Sequence, residues 1–229
     1  MIDSAGRAPQ RRAPWWLSSD KVIAKAIELL DEHGEAWLTM RRLAEALDVQ
    51  APALYGHVKS RDALMLAALD RVIGDFDADA TADDRWDVHV RQLMSALREH
   101  LLAHPWAPRV ASEIHPEALF ILGERAQELM QRAGLRGDDA YRYRRLLVWT
   151  VWGFVAVEVT KSTAKSHTRV DEPAGPGRRY RVSFAVPPGT ARERLPSPYD
   201  VVDLDELFAA AVASFIAGVN ERVSATTAR

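Results

Sequence analysis

The segment TMRRLAEALDVQAPALYGHV, Thr39 to Val58, constrains the fold of this chain more than any other stretch. Its apolar residues suit two short helices that cross at a tight turn. Thr39 can cap the first helix by accepting from amides that the opening turn leaves without partners. Leu43 and Leu47 lie four apart with Ala44 beside them, which makes one narrow apolar face. Residues 46–49 fit the turn. Pro52 suits the first turn of the second helix, where its missing N–H is no loss. Leu54 and Val58 then face inward. Helices this short cannot stand alone, because nucleation is unfavourable and each buries few residues. They require a platform, and the geometry that uses such a pair is the helix-turn-helix, whose second helix lies in the DNA major groove.

The platform precedes the pair. Ser18 caps a helix that runs to about His33 and stops at Gly34, with Val22, Ile23, Ala26, Ile27, Leu29 and Leu30 on a broad apolar face. Ser60 caps a further helix, with Asp62 in its first turn, where the helix dipole favours an acid. It carries Leu64, Val72, Ile73 and Phe76 as far as Asp77, long enough to join a small head to a larger body. Residues 77–84 read as an acidic linker.

Three helical patterns follow before the longest apolar segment: one from about Arg85 to His104, a short helix or turn over 107–113, and one opened by Pro116 and stopped at Gly134. Residues 146–159 then form an almost unbroken apolar run with Trp149, Trp152 and Phe154, which predicts a helix buried on every side. Residues 164–200 hold much of the glycine and proline and read as a long loop, with a short alternating run from Tyr180 to Val186 that would suit a hairpin strand. The last helix, about 203–221, repeats Leu204, Leu207, Phe208, Ala211, Val212, Phe215, Ile216 and Val219 at three and four. Such a stripe must be covered, by its own bundle or by a second subunit.

Composition limits the function. At 229 residues the chain can bury a substantial core, and a net charge of -2 gives no global basic field for nucleic acid. Recognition depends on local patches instead. Arg7, Arg11 and Arg12 make residues 1–16 a basic arm, and Arg41, Arg42, Lys59 and Arg61 bracket the two short helices. With no cysteine there is no disulfide framework or thiolate chemistry. The N-terminus shows no signal-peptide pattern and no stretch of eighteen apolar residues stands out, so a soluble, cytoplasmic protein is expected. The seven histidines are scattered, with no nucleophile–base pair, phosphate-cradling glycine loop or multi-ligand metal motif, so no enzyme is expected.

Ser18 to Leu66 resembles the DNA-binding head of TetR family repressors, above all in LTMRRLAEALDVQAPALYGHVKSRDALM at Leu38 to Met65. The body resembles the regulatory domain of the tetracycline repressor branch through Leu101-Leu102-Ala103-His104 and the region from Gly153 to Val159. The resemblance implies an all-α protein: a three-helix head over 17–66, joined to a helical-bundle body over 67–229 for ligand binding and dimerisation. It implies a homodimer that binds a palindromic DNA operator and is released by a small effector. In the head, Arg41 would reach a base edge or phosphate, Ala51, Pro52 and Ala53 would face the bases, and Tyr55, His57, Lys59 and Thr39 would meet phosphates. The ring of Tyr55 can equally pack on the first helix. Gly56 replaces a bulky aromatic of the closest branch, so a different operator is expected.

In the body, the resemblance places His104 and Glu158 where a metal–drug complex is held, whereas Ile73 stands in the place of a drug-contacting histidine. A lone histidine and glutamate are too few for an all-protein metal site. No metal or cofactor is expected: His104 reads as a helix-end or pocket-lining histidine, and Glu158 as a paired buried acid or a dimer-contact acid. Candidate pocket residues are Leu101, His104, Trp106, Leu119, Trp149, Trp152 and Val155, with plain core packing as the alternative. They would suit an apolar or aromatic effector. Leu207, Ala211, Phe215 and Gly218 form the expected dimer seam. An activator, or a helical protein-interaction dimer without induction, is the other reading.

Overall fold

A computed structural model describes residues 16–79, 83–114, 117–163, 179–181 and 201–228. The basic arm, Pro116 and most of the long 164–200 segment lie outside the described residues. Among the described residues the fold is all-α apart from one small two-stranded pairing.

Local chemistry sets the boundaries of the first helices. The Ser18 hydroxyl accepts from the Lys21 amide to open α1, Ser19–His33. Gly34, at φ 78°, closes it in a backbone region that penalises a side chain. Thr39 caps α2, Met40–Ala46, by accepting from the Arg42 amide. The turn passes through Asp48 at φ 52°, a left-handed conformation that aspartate tolerates better than most residues. Next comes α3, Ala51–Leu54, only four residues long and opened by Pro52. Ser60 caps α4, Arg61–Gly74. Val22, Ala26, Leu30, Leu43, Leu54 and Leu64 meet between these helices with no measurable exposure. Burying side chains of this size contributes roughly 1.5–3 kcal/mol each, which holds two helices too short to persist alone.

The body consists of α5, Trp86–Leu102; α6, Ala107–Glu113; α7, Glu117–Arg132; α8, Gly137–Thr163; and α9, Leu204–Thr227. Helix α8 packs against α5, α6, α7 and α9. Strand β1, Arg179–Arg181, pairs antiparallel with β2, Val201–Asp203, with Tyr180 opposite Val202. Of the alternating run 180–186, Tyr180 and Arg181 lie in this strand and the rest lies outside the described residues. Asp203 leads directly into α9 and caps it, accepting from the amides of Asp205 and Glu206. Six residues beyond the expected end at 221 stay helical.

Two expectations are corrected here. Helix α9 is long and apolar enough to cross a bilayer by length and composition alone, because its many alanines raise mean hydropathy over the window Leu204–Thr226. One of its faces nevertheless carries Leu204, Phe208, Val212 and Val219 into the bundle core. Helix α8, in turn, is not buried all round: Tyr141, Leu146, Trp149 and Val157 are exposed along one side.

One buried charge cluster ties the body together. The Arg98 guanidinium of α5 donates to Glu158 of α8 at 2.7 Å and to Asp205 of α9 at 2.7 Å, and lies 4.7 Å from the Phe208 ring centre. Burial works against the Arg98 charge, but the two carboxylates outweigh it and raise its pKa above the ordinary value. Lone buried charges are unfavourable, so all three groups stay together.

Candidate nucleic-acid interface

The head closes its leucines inward and turns a polar face outward. Thr39, Arg41, Pro52, Tyr55 and Lys59 are exposed, with Ala51 and Ala53 half-buried beside them. Tyr55 is 54% exposed, so its ring does not pack fully on α1 and its hydroxyl is available to a partner. Arg41 reaches Glu45 one turn on at 2.8 Å, and that bond and charge raise its pKa further, so it is a fixed cation. These side chains come from the start of α2, from α3 and from the turn that follows. Their common exposure arises because Leu43, Leu54 and Val58 take the inner face.

Three of the expected residues make contacts within the head. Arg42 folds back, donating to the Trp37 carbonyl at 2.8 Å with its guanidinium 4.6 Å from the Trp37 ring centre. Arg61 donates to the carbonyls of Leu38 and Glu35 at 3.0 and 2.9 Å, so it stitches the start of α4 to the loop ahead of α2. His57 is half-buried, and its Nε2 is shut off from solvent with no hydrogen-bond partner. Its backbone carbonyl accepts from Ser19.

In the body, Leu101 and Val155 are fully buried, while Leu119 and Trp152 are half-buried. Trp149 points outward, 62% exposed, beside the Arg145 guanidinium. His104 and Glu158 do not meet: His104 Nδ1 lies 2.9 Å from Asp31 of the head, and Glu158 is bonded to Arg98. Each is thus paired within the protein, Glu158 as a buried acid. Among the described residues no group of three or more histidine, cysteine or acidic side chains is placed to hold a metal ion. A cleft of about 340 Å³ opens between the end of α4 and α7, lined by Ile73, Phe76, Ile121 and Leu122 together with Asp75, Asp77, Asp79 and Arg125. None of the seven expected pocket residues lines it.

The seam residues separate as well. Leu207 is exposed and Ala211 half-buried, but Phe215 packs edge-on to Tyr143, whose hydroxyl donates to the Gly218 carbonyl. Phe215 and Gly218 thus face α8 of their own chain. The outer side of α9 is instead Leu207, Ala210, Ser214 and Ala217.

Residues 22–68 match the family model of bacterial regulatory proteins, tetR family, and residues 79–223 match that of the tetracyclin repressor-like C-terminal domain. The chain belongs to the tetR family. Its place there makes it a DNA-binding transcription regulator and not an enzyme. It is 39% identical to an HTH-type transcriptional regulator of Saccharopolyspora erythraea over 174 residues, 71% of this chain and 74% of that one. It is 31% identical to the tetracycline repressor protein class C of Escherichia coli, over 65% of this chain and 70% of the other. In fold it is similar to apo ActR of Streptomyces coelicolor, with a TM-score of 0.72 at 24% identity, over 92% of this chain and 98% of that one. ActR has also been crystallised in complex with actinorhodin.

Sequence reasoning missed the tetR-family head's attachments to its body. Asp31 in the last turn of α1, Glu35 just beyond it and Arg109 of α6 carry no local motif, and neither does Asp70 of α4, which accepts from the Ala118 amide at 2.7 Å. The only sequence signal is the i, i+4 spacing of the two acids.

Proposed function

We propose that this protein is a ligand-responsive repressor that binds a palindromic operator as a homodimer and leaves it when a small aromatic or apolar effector enters the body. The observation that carries the reading is the head's exposed face: Arg41, Tyr55 and Lys59 stand out around Ala51, Pro52 and Ala53, over a closed leucine core. Lys59 and the Tyr55 hydroxyl suit phosphates, and Arg41 suits a guanine edge or a phosphate. Thr39 can offer its hydroxyl at the start of α2. The small apolar residues of α3 can meet thymine methyls but donate no hydrogen bond, so operator choice rests on few direct contacts.

Two protomers would join through the uncovered sides of α8 and α9. Trp149, Gly153 and Val157 of one helix, and Leu207, Ala210, Ser214 and Ala217 of the other, leave an apolar surface with small residues for close approach. A second copy is the occupant that buries both faces at once. The effector would enter the cleft between α4 and α7, where Ile73, Phe76, Ile121 and Leu122 suit an apolar face and Asp75, Asp77, Asp79 and Arg125 suit polar groups. Two relatives support the effector class, one by its name as a tetracycline repressor and one by its complex with actinorhodin. Effector binding would shift the population toward heads that no longer match the DNA.

The test is binding to labelled DNA from upstream of the protein's own gene, with unrelated DNA as competitor, over a range of salt. Tight binding that only the same DNA displaces, with a steep salt slope, is the expected result. Equal competition by every DNA would defeat the repressor reading. Sedimentation of the free protein checks the dimer.

A further inference from the structure

The junction between head and body is built around two acids spaced one helical turn apart. Asp31, in the last turn of α1, accepts from Trp106 Nε1 at 2.7 Å and lies 2.9 Å from His104 Nδ1. Glu35, in the loop just beyond α1, is bonded to Arg109 of α6 and lies 3.6 Å from Arg61. The two acids therefore grip a single stretch of the body, residues 104–109, which is the turn into α6 and its first residues. Both are largely covered, with side chains 29% and 15% exposed.

What they connect is more informative than their number. Arg61 bonds the carbonyls of Glu35 and Leu38, so the loop ahead of α2 and the start of α4 are joined across the helix-turn-helix. Glu35 links that joint to Arg109. At its other side α6 meets α8, where Trp152 Nε1 donates to the Pro108 carbonyl at 3.3 Å. A continuous path thus runs from the two ends of the DNA-reading unit, through Glu35 and Asp31, into α6 and on to the long helix of the proposed dimer surface.

We infer that Asp31 and Glu35 are spacing-determining residues: they fix the angle of the head on α6, and so decide which separation of operator half-sites the protein accepts. This rests on the proposed dimeric repressor. In a dimer, the second head binds at an effective concentration set by how stiffly it is held relative to the first. A head held only by apolar contacts could rock, because those are non-directional. Charge-assisted hydrogen bonds to residues of both partners are directional and fix an orientation. Both acids are committed to residues 104–109 and to Arg61. They are positioning residues, and their effect falls on spacing and not on base preference.

The test begins by selecting duplex DNA from a random pool with the full-length wild-type protein. Dissociation constants are then measured for the selected palindrome, for one isolated half-site, and for palindromes with one or two base pairs added or removed at the centre. The proteins are the wild type, Asp31→Ala/Glu35→Ala, and Arg109→Met. Arg109 is exposed, so its replacement breaks the Glu35 tie from the body side with little risk to folding. The expected result for the double variant is half-site binding within about twofold of wild type. Palindrome binding falls about tenfold, and the preference among spacers flattens, as lost stiffness lowers effective concentration. Arg109→Met moves in the same direction by less. Unchanged discrimination among spacers in both variants would overturn the inference. So would an equal loss on half-site and palindrome, since the acids would then only hold the head's own fold together. Failure of the wild type to select any two-fold-symmetric DNA would instead overturn the dimeric repressor, and this shows at the first step.

Discussion

The body and the head–body junction each contain a charged cluster, and the two are built on opposite plans. Arg98, Glu158 and Asp205 form the first, with Arg98 and Glu158 almost wholly out of water. Asp31 and Glu35 form the second, bonded to His104, Trp106 and Arg109, and Arg109 is 62% exposed. A buried pair that loses one member leaves an uncompensated charge, so α5, α8 and α9 are bound to one register. A partly hydrated tie contributes less and can be remade with water. The body can therefore act as a rigid frame, while the head is held to it at a fixed angle by directional contacts that an event in the body can break and remake. That is the division of labour a protein needs if an event in the body is to reorient the head.

The sharpest way to break this contrast is Arg98→Met. It removes the guanidinium that buried Glu158 is bonded to and should destabilise the protein by about 3–5 kcal/mol, read as a lowered melting temperature. Adding Glu158→Leu should recover much of that loss. If the double variant melted no higher than the single one, the desolvation account of the cluster would be wrong.

Next in size is the outer face of the frame. Trp149→Glu places a charge on the proposed dimer surface and should weaken association by at least about 2 kcal/mol, as hot-spot aromatics do. Sedimentation should then show monomer at concentrations where the wild type is paired, with helical content unchanged. A dimer of unaltered stability would place the interface elsewhere.

The head offers a smaller effect. Thr39→Ala removes the hydroxyl that caps α2 and should cost about 1 kcal/mol in denaturant unfolding. Smallest is His89, which sits near Arg132 with ring nitrogen and guanidinium 3.3 Å apart. Burial first, and the Arg132 charge second, hold its pKa below the ordinary histidine value. The folded chain thus binds fewer protons than the unfolded one around and below pH ~6.5. Stability should decline as pH falls through that window, and His89→Gln should flatten the decline. A pH dependence identical in the variant would assign it to other groups.

Local signals carried much of the fold. Ser18, Thr39, Ser60 and Asp203 each accept from amides of the following turn, and Gly34 stops α1. Caps and stops are legible because they involve neighbours in sequence. The leucines of α2 and α3 were legible for the same reason, since a helix with few apolar residues has one face to bury. The exposed polar face of the head followed from the same pattern. The use of Arg42 and Arg61 did not, because each bonds a carbonyl in the loop that precedes α2.

The limits of that reading have a common cause. In α8 and α9 apolar or small residues occur on nearly every side, so the pattern leaves open how each helix is rotated about its axis. That rotation decides that Trp149 faces out while Phe215 and Gly218 face Tyr143 within their own chain. Polar partners far apart in sequence have no period to reveal them: His104 meets Asp31, 73 positions away, and Arg98 meets Glu158, 60 away. The sequence by itself determined the helices, their caps and the DNA-reading unit, since these depend on residues within a turn or two of one another. Only the tertiary structure decided helix rotation and charge pairing, because both are set by packing many helices around one shared core.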